Sequence, residues 1–225
     1  TLLSLLLILA FSCNNNSNKN QQSQRAKDTA QPEKVNSDLE ETKRIVFFGN
    51  SLTAAYGLEK EDGFPALIQE KIDSLNLPYQ CVNAGVSGET TSGGLERVDW
   101  ILKQPVSIFV LELGANDGLR GIQTEETEKN LRMIFDKVKE KYPSVKLVLA
   151  GMYVPPNMGP EYSDRFKSIY PEVAKDYDAA LIPFLLEDVA TADSLLLEDK
   201  LHPNVQGQRI VAKNVWTYIY PLLEQ

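Results

Sequence analysis

Residues 107–113 read Ser-Ile-Phe-Val-Leu-Glu-Leu, and Gly-Ala-Asn-Asp follows at once at positions 114–117. No polar residue interrupts positions 108–111, which is typical of a strand that helices cover on both faces. Four similar runs occur elsewhere, and helical patterns separate them, so we expect an α/β domain with three layers, α/β/α, around a parallel sheet. The five predicted strands are Ile45–Phe48, Tyr79–Asn83, Ser107–Leu113, Lys146–Met152 and Ala180–Phe184.

Apolar residues at a helical spacing predict amphipathic helices between and after these strands. One covers Leu67–Leu75, and a last helix from Val205 to Leu223 closes the domain. Another begins near Thr124, its expected N-cap, with acidic residues in its first turn and lysines near its end. Its apolar positions are Leu131, Ile134, Phe135 and Val138.

The first residues differ from the rest of the chain. Residues 2–11 are apolar apart from Ser4, a run that is too short to span a bilayer and is typical of a signal peptide. The run ends in Ala-Phe-Ser-Cys13, which resembles the lipobox at which bacterial lipoprotein precursors are cut and lipidated. We expect a signal peptide at 1–13 and a lipid anchor at Cys13 that holds an exported protein on a membrane. The alternative is an ordinary signal peptide with an incidental cysteine.

Residues 14–42 form a polar segment that is rich in Asn, Gln, Ser, Lys and Glu. Such a segment buries too little apolar surface to offset the entropy of ordering. We therefore expect a disordered tether at 14–42, followed by one globular domain at 43–225.

Charge and composition exclude several classes of function. The chain carries a formal net charge of −8, and clustered Lys and Arg are missing, which argues against a nucleic acid partner. One histidine and one domain cysteine do not make a usual zinc site, and the chain has neither a phosphate-binding nor a dinucleotide-binding glycine motif. We therefore expect no metal and no cofactor. Cys81 lies in a strand-like run, where a buried and unreactive thiol is expected.

Small and polar residues follow the predicted strands, where ligand sites of parallel sheets lie. Ser51 follows the first strand, Gly85 the second and Asn116 the third, while His202 and Asp199 lie near the C-terminus. A hydroxyl, an imidazole and a carboxylate suit acyl transfer, with Ser51 as nucleophile, His202 as base and Asp199 fixing the imidazole tautomer. The Ser51 and Gly85 backbone N–H groups and the Asn116 amide are expected to stabilise an oxyanion.

Each of these residues also has a structural interpretation. A serine after a strand often caps a helix, and Asn and Gly are ordinary turn residues. Glu198 and Asp193 compete with Asp199 for the role of the acid. The occurrence of four such loops in order along the chain favours the catalytic interpretation.

The same residues carry a family resemblance. The chain resembles the SGNH hydrolases, also called GDSL esterases and lipases, whose four defining residues fall on Ser51, Gly85, Asn116 and His202. Longer matches at 55–58, 63–67 and 114–121 resemble the bacterial thioesterase, lysophospholipase and arylesterase branch. The resemblance implies a flavodoxin-like fold and a serine esterase. The family usually has Asp before the serine, where this chain has Asn50, and we expect this change to tune activity without abolishing it.

An apolar segment stiffened by prolines follows the fourth strand, and it either lines an acyl pocket or is a packed connector. Its residues are Met152, Tyr153, Val154 and Pro155. The resemblance implies a small-molecule or lipid substrate: a lysophospholipid, an aryl or short-to-medium acyl ester, or a thioester. Two alternatives stay open, a carbohydrate O-acetylesterase of the same family and a catalytically inactive, surface-anchored binding lipoprotein.

Overall fold

The structure is a computed structural model, and it describes residues 42–224. The predicted signal peptide at 1–13 with Cys13, and the tether as far as residue 41, lie outside the described residues. The first strand begins at Lys43, the residue at which the sequence predicts the globular domain to start.

Five parallel strands form one sheet in the order β2-β1-β3-β4-β5, which is the flavodoxin-like order. The strands are β1 (Lys43–Gly49), β2 (Tyr79–Gly85), β3 (Ile108–Glu112), β4 (Lys146–Ala150) and β5 (Ala180–Ile182). This confirms the predicted fold class. β5 ends two residues earlier than predicted, at Ile182, and Pro183 follows it.

Within residues 42–224, helices occupy the segments between the strands and after the last one. They are α1 (Phe64–Ser74), α2 (Thr91–Ile101), α3 (Ala115–Leu119), α4 (Thr124–Lys141), α5 (Pro160–Asp176) and α6 (Val205–Ile219). The sequence patterns missed three of them. α2 contains Gly93 and Gly94 and α5 contains Pro171, residues of low helix propensity, and α3 is little more than one turn.

Two predicted helix ends need correction. Thr124 is not the N-cap of α4 but its first helical residue, and it is buried; the cap position belongs to Gln123, whose side chain makes no capping hydrogen bond. The last helix ends at Ile219, and a 3₁₀ turn over Tyr220–Leu222 follows it.

Right-handed crossovers place helices on both faces of the sheet. The chain moves from β1 to β2 in one direction and from β2 through β3 and β4 to β5 in the other. α1 therefore lies on one face, where α6 packs beside it, and α2, α4 and α5 lie on the other face. Apolar side chains of the strands and of both helix layers form one core. None of the helices among the described residues is long and apolar enough to cross a membrane.

The sheet register sets the position of the loops. Gly49, the last residue of β1, pairs with Gly85 of β2 on one side and with Glu112 of β3 on the other. The chain leaves β1 and β3 in opposite directions, which opens a crevice between their carboxyl ends. The loops after the first three strands therefore begin side by side at one edge of the sheet.

Candidate active site

A line of three side chains starts at Ser51, in the loop that follows β1. Ser51 Oγ is 2.8 Å from His202 Nε2, and His202 Nδ1 is 2.7 Å from Asp199 Oδ2. The structure thus brings together the three side chains that the sequence singled out, although 151 positions separate Ser51 from His202. One ring nitrogen faces the hydroxyl and the other faces the carboxylate, so the imidazole can accept the serine proton while the acid fixes its tautomer.

Asp199 is held in a tight turn against the histidine. Its Oδ1 accepts hydrogen bonds from the backbone N–H groups of Leu201, at 2.9 Å, and His202, at 3.0 Å. Burial opposes ionisation, but these two bonds and the contact with the imidazole outweigh it and lower the pKa of Asp199 to about 2. The carboxylate is therefore ionised at neutral pH. Among the described residues, the competing acid Asp193 forms its ion pair with Lys200, at 3.1 Å.

Further contacts fix the turn that carries His202. The His202 carbonyl accepts the N–H of Leu197 at 2.8 Å. The Tyr56 ring, half exposed, lies 4.5 Å from the imidazole, measured between ring centroids. Buried Gln208 of α6 donates to the Leu52 carbonyl at 3.4 Å, so the helix that follows the histidine also touches the loop that carries the serine.

Asn116 lies at the start of α3, beside the turn that follows β2. Its Nδ2 donates to the Glu89 carbonyl at 2.9 Å, and Arg120 of the same segment donates to the Gly88 carbonyl at 2.9 Å. An amide nitrogen has two N–H donors, so the second N–H of Asn116 can meet a substrate. The adjacent Asp117 is buried and accepts the backbone N–H and the hydroxyl of Thr91, which fixes α3 against the start of α2.

The Gly85 N–H group is already committed within the protein. It donates to Asn83 Oδ1 at 3.0 Å, while Asn83 Nδ2 donates to the Thr53 carbonyl at 2.8 Å. A Cβ atom at Gly85 would lie 2.3 Å from the Ala54 nitrogen, so close packing against the serine loop explains this glycine. The expectation that Gly85 donates to an oxyanion therefore needs correction in this structure.

Two other backbone N–H groups are open. Within residues 42–224, neither the Ser51 N–H nor the Gly88 N–H has a hydrogen-bond acceptor in the protein. Gly88 has a φ of +78°, a conformation that favours glycine. Its carbonyl contact with Arg120 and its proximity to Asn116 place it at the same corner of the site. Gly88 is visible in the sequence as a second glycine three positions after Gly85, but sequence reasoning did not identify it as a candidate donor.

The predicted acyl-pocket segment is only partly available to a ligand. Met152 is 2% exposed and belongs to the core, so its assignment to a pocket wall needs correction. Tyr153 is exposed and stacks on Phe184 with 4.3 Å between ring centroids. Val154 and Pro155 are half-buried. Val154 packs closely on Gly118 of α3, the helix that begins beside Asn116, so this segment borders the site.

Cys81 is a half-buried free thiol on β2. Burial, together with the negative charge of Asp73, raises the pKa of the Cys81 thiol to about 12. The thiol is therefore protonated at neutral pH, which is the unreactive form.

Comparisons with known proteins agree with this geometry. The model of the GDSL-like lipase/acylhydrolase family matches residues 47–210. Esterase TesA of Pseudomonas aeruginosa is 36% identical over 180 residues, which cover 80% of this chain and 89% of that protein. An Escherichia coli protein named thioesterase 1/protease 1/lysophospholipase L1 is 37% identical over 180 residues, covering 80% of this chain and 84% of its own length.

Among solved structures, the chain resembles esterase EstA from Pseudoalteromonas sp., which was crystallised as a form inhibited by monoethylphosphonate. The TM-score is 0.75 at 36% sequence identity, and the match covers 80% of this chain and 97% of that one. The family model covers most of the chain, and the chain in turn covers 89% and 84% of the length of the two named relatives. The chain belongs to the GDSL-like lipase/acylhydrolase family, a family of carboxylic ester hydrolases.

Proposed function

We propose that this chain is a serine esterase that cleaves carboxylic ester or thioester bonds, with Ser51 as nucleophile, His202 as general base and Asp199 as the group that orients the base. One observation carries the proposal. The 2.8 Å contact between Ser51 and His202 continues into the 2.7 Å contact between His202 and an ionised carboxylate. Relatives whose names include esterase and thioesterase support the same reaction class.

The reaction proceeds in two steps. Ser51 Oγ attacks the acyl carbon as its proton moves to His202 Nε2, which then protonates the departing alkoxide or thiolate. A water molecule next gives a proton to the same nitrogen and attacks the acyl-enzyme. His202 then returns this proton to Ser51 Oγ as the bond from the acyl carbon to Oγ breaks, which releases the acid and restores Ser51. Asp199 accepts a hydrogen bond from Nδ1–H throughout, so it holds the tautomer that leaves Nε2 free to accept a proton.

Three donors suit the oxyanion that forms in both steps. They are the Ser51 N–H, the Asn116 Nδ2–H and, in place of Gly85, the Gly88 N–H. The two backbone groups have no acceptor within the described residues, and the Asn116 amide has a second hydrogen to offer. Donors that are fixed before the reaction stabilise developing charge without reorganisation.

The rim of the site favours an apolar acyl group. Five of the large apolar side chains that are exposed within residues 42–224 lie, along the chain, within a few positions of a residue of the site or of the segment that borders it. They are Tyr56, Val86, Leu119, Tyr153 and Leu201. Apolar walls with a few polar groups are typical of sites for small apolar ligands. This supports lysophospholipid, aryl or short-to-medium acyl esters, or thioesters, as substrates.

We also propose that the protein is exported and held on a membrane by a lipid at Cys13. This proposal rests on the sequence alone. Incorporation of an alkyne-tagged fatty acid into the parent protein, and its loss in Cys13→Ser, is the expected result. Equal labelling of both proteins would contradict it.

Hydrolysis of a p-nitrophenyl ester series from acetate to palmitate tests the proposed function. We expect Ser51→Ala and His202→Ala each to lose nearly all activity. Ser144→Ala is a matched control, because Ser144 is exposed in the turn before β4, at the amino ends of the strands and away from the site. Its activity should equal that of the parent chain.

The series also separates the alternatives. Activity that is confined to acetate and extends to acetylated polysaccharide would favour a carbohydrate O-acetylesterase. A parent chain that hydrolyses no ester in the series and does not react with a fluorophosphonate probe would overturn the enzyme and favour a binding module.

A further inference from the structure

A buried carboxyl group lies under the loop that carries Ser51. Glu112, at the end of β3, is 1% exposed and accepts four hydrogen bonds, all from Asn50 and Thr53. The Asn50 N–H and Nδ2 lie 3.1 and 2.7 Å away, and the Thr53 N–H and Oγ1 lie 3.2 and 2.7 Å away. The proposed reaction gives Glu112 no proton to transfer. Its contacts point to another role, because they join the residues on both sides of Ser51 to the sheet.

The four donors divide unequally between the two carboxylate oxygens. Oε2 accepts the Asn50 N–H and both donors of Thr53, while Oε1 accepts only Asn50 Nδ2. On its other side, Asn50 Oδ1 accepts the Leu52 N–H at 2.9 Å and lies 3.4 Å from Ser51 Oγ. Asn50 therefore has one orientation, with its nitrogen toward Glu112 and its oxygen toward the nucleophile. An amide provides both a donor and an acceptor, and a carboxylate provides acceptors only.

We infer that Asn50 and Glu112 form a positioning pair, in which the Asn50 amide donates to a Glu112 carboxylate and thereby fixes Ser51 for attack. The inference rests on the proposed function, since it concerns how the nucleophile of that reaction is held. Neither side chain is a catalytic residue, because both act through Ser51. The amide of the pair is a departure from the family pattern, which usually has Asp where this chain has Asn50.

The identity of residue 50 decides where the charge of the pair lies. Burial raises the pKa of Glu112 to about 7, and the four hydrogen bonds only partly offset this. An Asp at position 50 would place a second carboxylate against Glu112, so that one of the two has to hold a proton. Other polar groups from α2 and α5 approach here: Arg97 donates to the Gly49 carbonyl, and the Tyr170 hydroxyl donates to the Leu113 carbonyl. With Asn50, the pair needs no shared proton, and Glu112 is a carboxylate at pH values above its raised pKa.

A reciprocal exchange of amide and carboxylate tests the pair. In Glu112→Gln, either orientation of the new amide places its nitrogen against a nitrogen donor of Asn50, the backbone N–H or Nδ2. Because two donors then face each other, kcat should fall about tenfold or more with little change in KM. In Asn50→Asp, two carboxylates face each other, and kcat should fall at alkaline pH, where the shared proton is lost. In the double variant Asn50→Asp/Glu112→Gln, the side-chain bond between residues 50 and 112 can form again with its donor direction reversed, while the residue 50 N–H and the two Thr53 donors still meet an oxygen of residue 112. We expect its kcat to return to within about threefold of the parent value and the alkaline loss to disappear.

Two results would overturn the pair: a Glu112→Gln variant with the parent kcat, or a double variant no better than the poorer single variant. Ile72→Val is the control for stability, because Ile72 is fully buried at the far end of α1 and should lower the denaturant midpoint without changing kcat. If the parent chain hydrolyses no ester, the proposed function fails by itself. The denaturant midpoints of the four proteins then decide on the pair: additive changes overturn it, and a double variant more stable than either single variant supports it.

Discussion

Replacing Glu112 with Gln should change how the stability of the protein depends on pH. The pKa of Glu112 is raised by burial from its ordinary value of 4.5 to about 7, whereas the unfolded chain keeps the ordinary value. Between these two pH values the folded protein holds a proton that the unfolded chain has released, so the free energy of unfolding falls as the pH rises. The difference between the two pKa values corresponds to about 3 kcal/mol, at about 1.4 kcal/mol per pKa unit.

Urea unfolding of the parent chain and of Glu112→Gln, at intervals from pH 5 to pH 8, measures this effect. The parent should lose about 2 to 3 kcal/mol relative to the variant over this range, most of it below pH 7.5. Glu70→Gln is the matched control, because it makes the same change at an exposed position of α1 and should retain the parent profile. A parent-minus-variant difference that stays constant within about 0.5 kcal/mol would refute the reasoning, because Glu112 would then have the same pKa in both states.

Three further predictions concern the site and use steady-state hydrolysis of p-nitrophenyl butyrate. Asp199→Asn should lower kcat on the order of 10³-fold or more, because the imidazole loses its preferred tautomer, whereas Glu198→Gln should leave kcat unchanged. Asn116→Ala should lower kcat by about 10²- to 10³-fold with a small change in KM, since a donor to the oxyanion is lost, and an equal rise in KM alone would contradict this role. Tyr56→Phe should keep the parent kcat and Tyr56→Ala should lower it severalfold, because the ring face supports His202; equal losses in both variants would instead point to the hydroxyl.

The strands were the most predictable part of the fold. Uninterrupted runs such as Ile108–Leu111 have few alternatives to a strand that is covered on both faces, and the sheet forms as expected. The sequence predicted helices only where apolar residues recur at a clear helical spacing, as in α1, α4 and α6. The sequence did not predict α2, because Gly93 and Gly94 lower its helix propensity. A Cβ at Gly94 would lie 2.3 Å from Leu113, so packing of α2 against the sheet requires a residue that helix propensity disfavours.

Within the site, residue types were predictable and hydrogen-bond partners were not. His202 is the single histidine of the chain, and together with Ser51 and Asp199 it forms a combination of residue types that the sequence makes visible. Gly85 and Gly88 are not distinguishable in this way, because both are glycines and only three positions separate them. Only the structure shows that the Gly85 N–H donates a hydrogen bond to Asn83 Oδ1. Similarly, Glu112 appears in the sequence as one polar residue in an apolar strand, and its importance depends on the register that places it beside Gly49.

Different kinds of contact hold the two halves of the site, the Ser51 loop and the turn with Asp199 and His202. The Ser51 loop is bonded to a buried group on the adjacent strand, so its position follows the sheet register and changes little unless Asn50 or Glu112 changes. The turn with Asp199 and His202 is held by local backbone bonds and by contacts with Tyr56 and Leu197, near solvent. A change at residue 50 therefore acts on the buried half, where an Asp would place a second carboxylate against Glu112 and require one of the two groups to hold a proton. At the Asn50–Glu112 contact, a single residue thus differs from the usual pattern of the family without altering the groups that react.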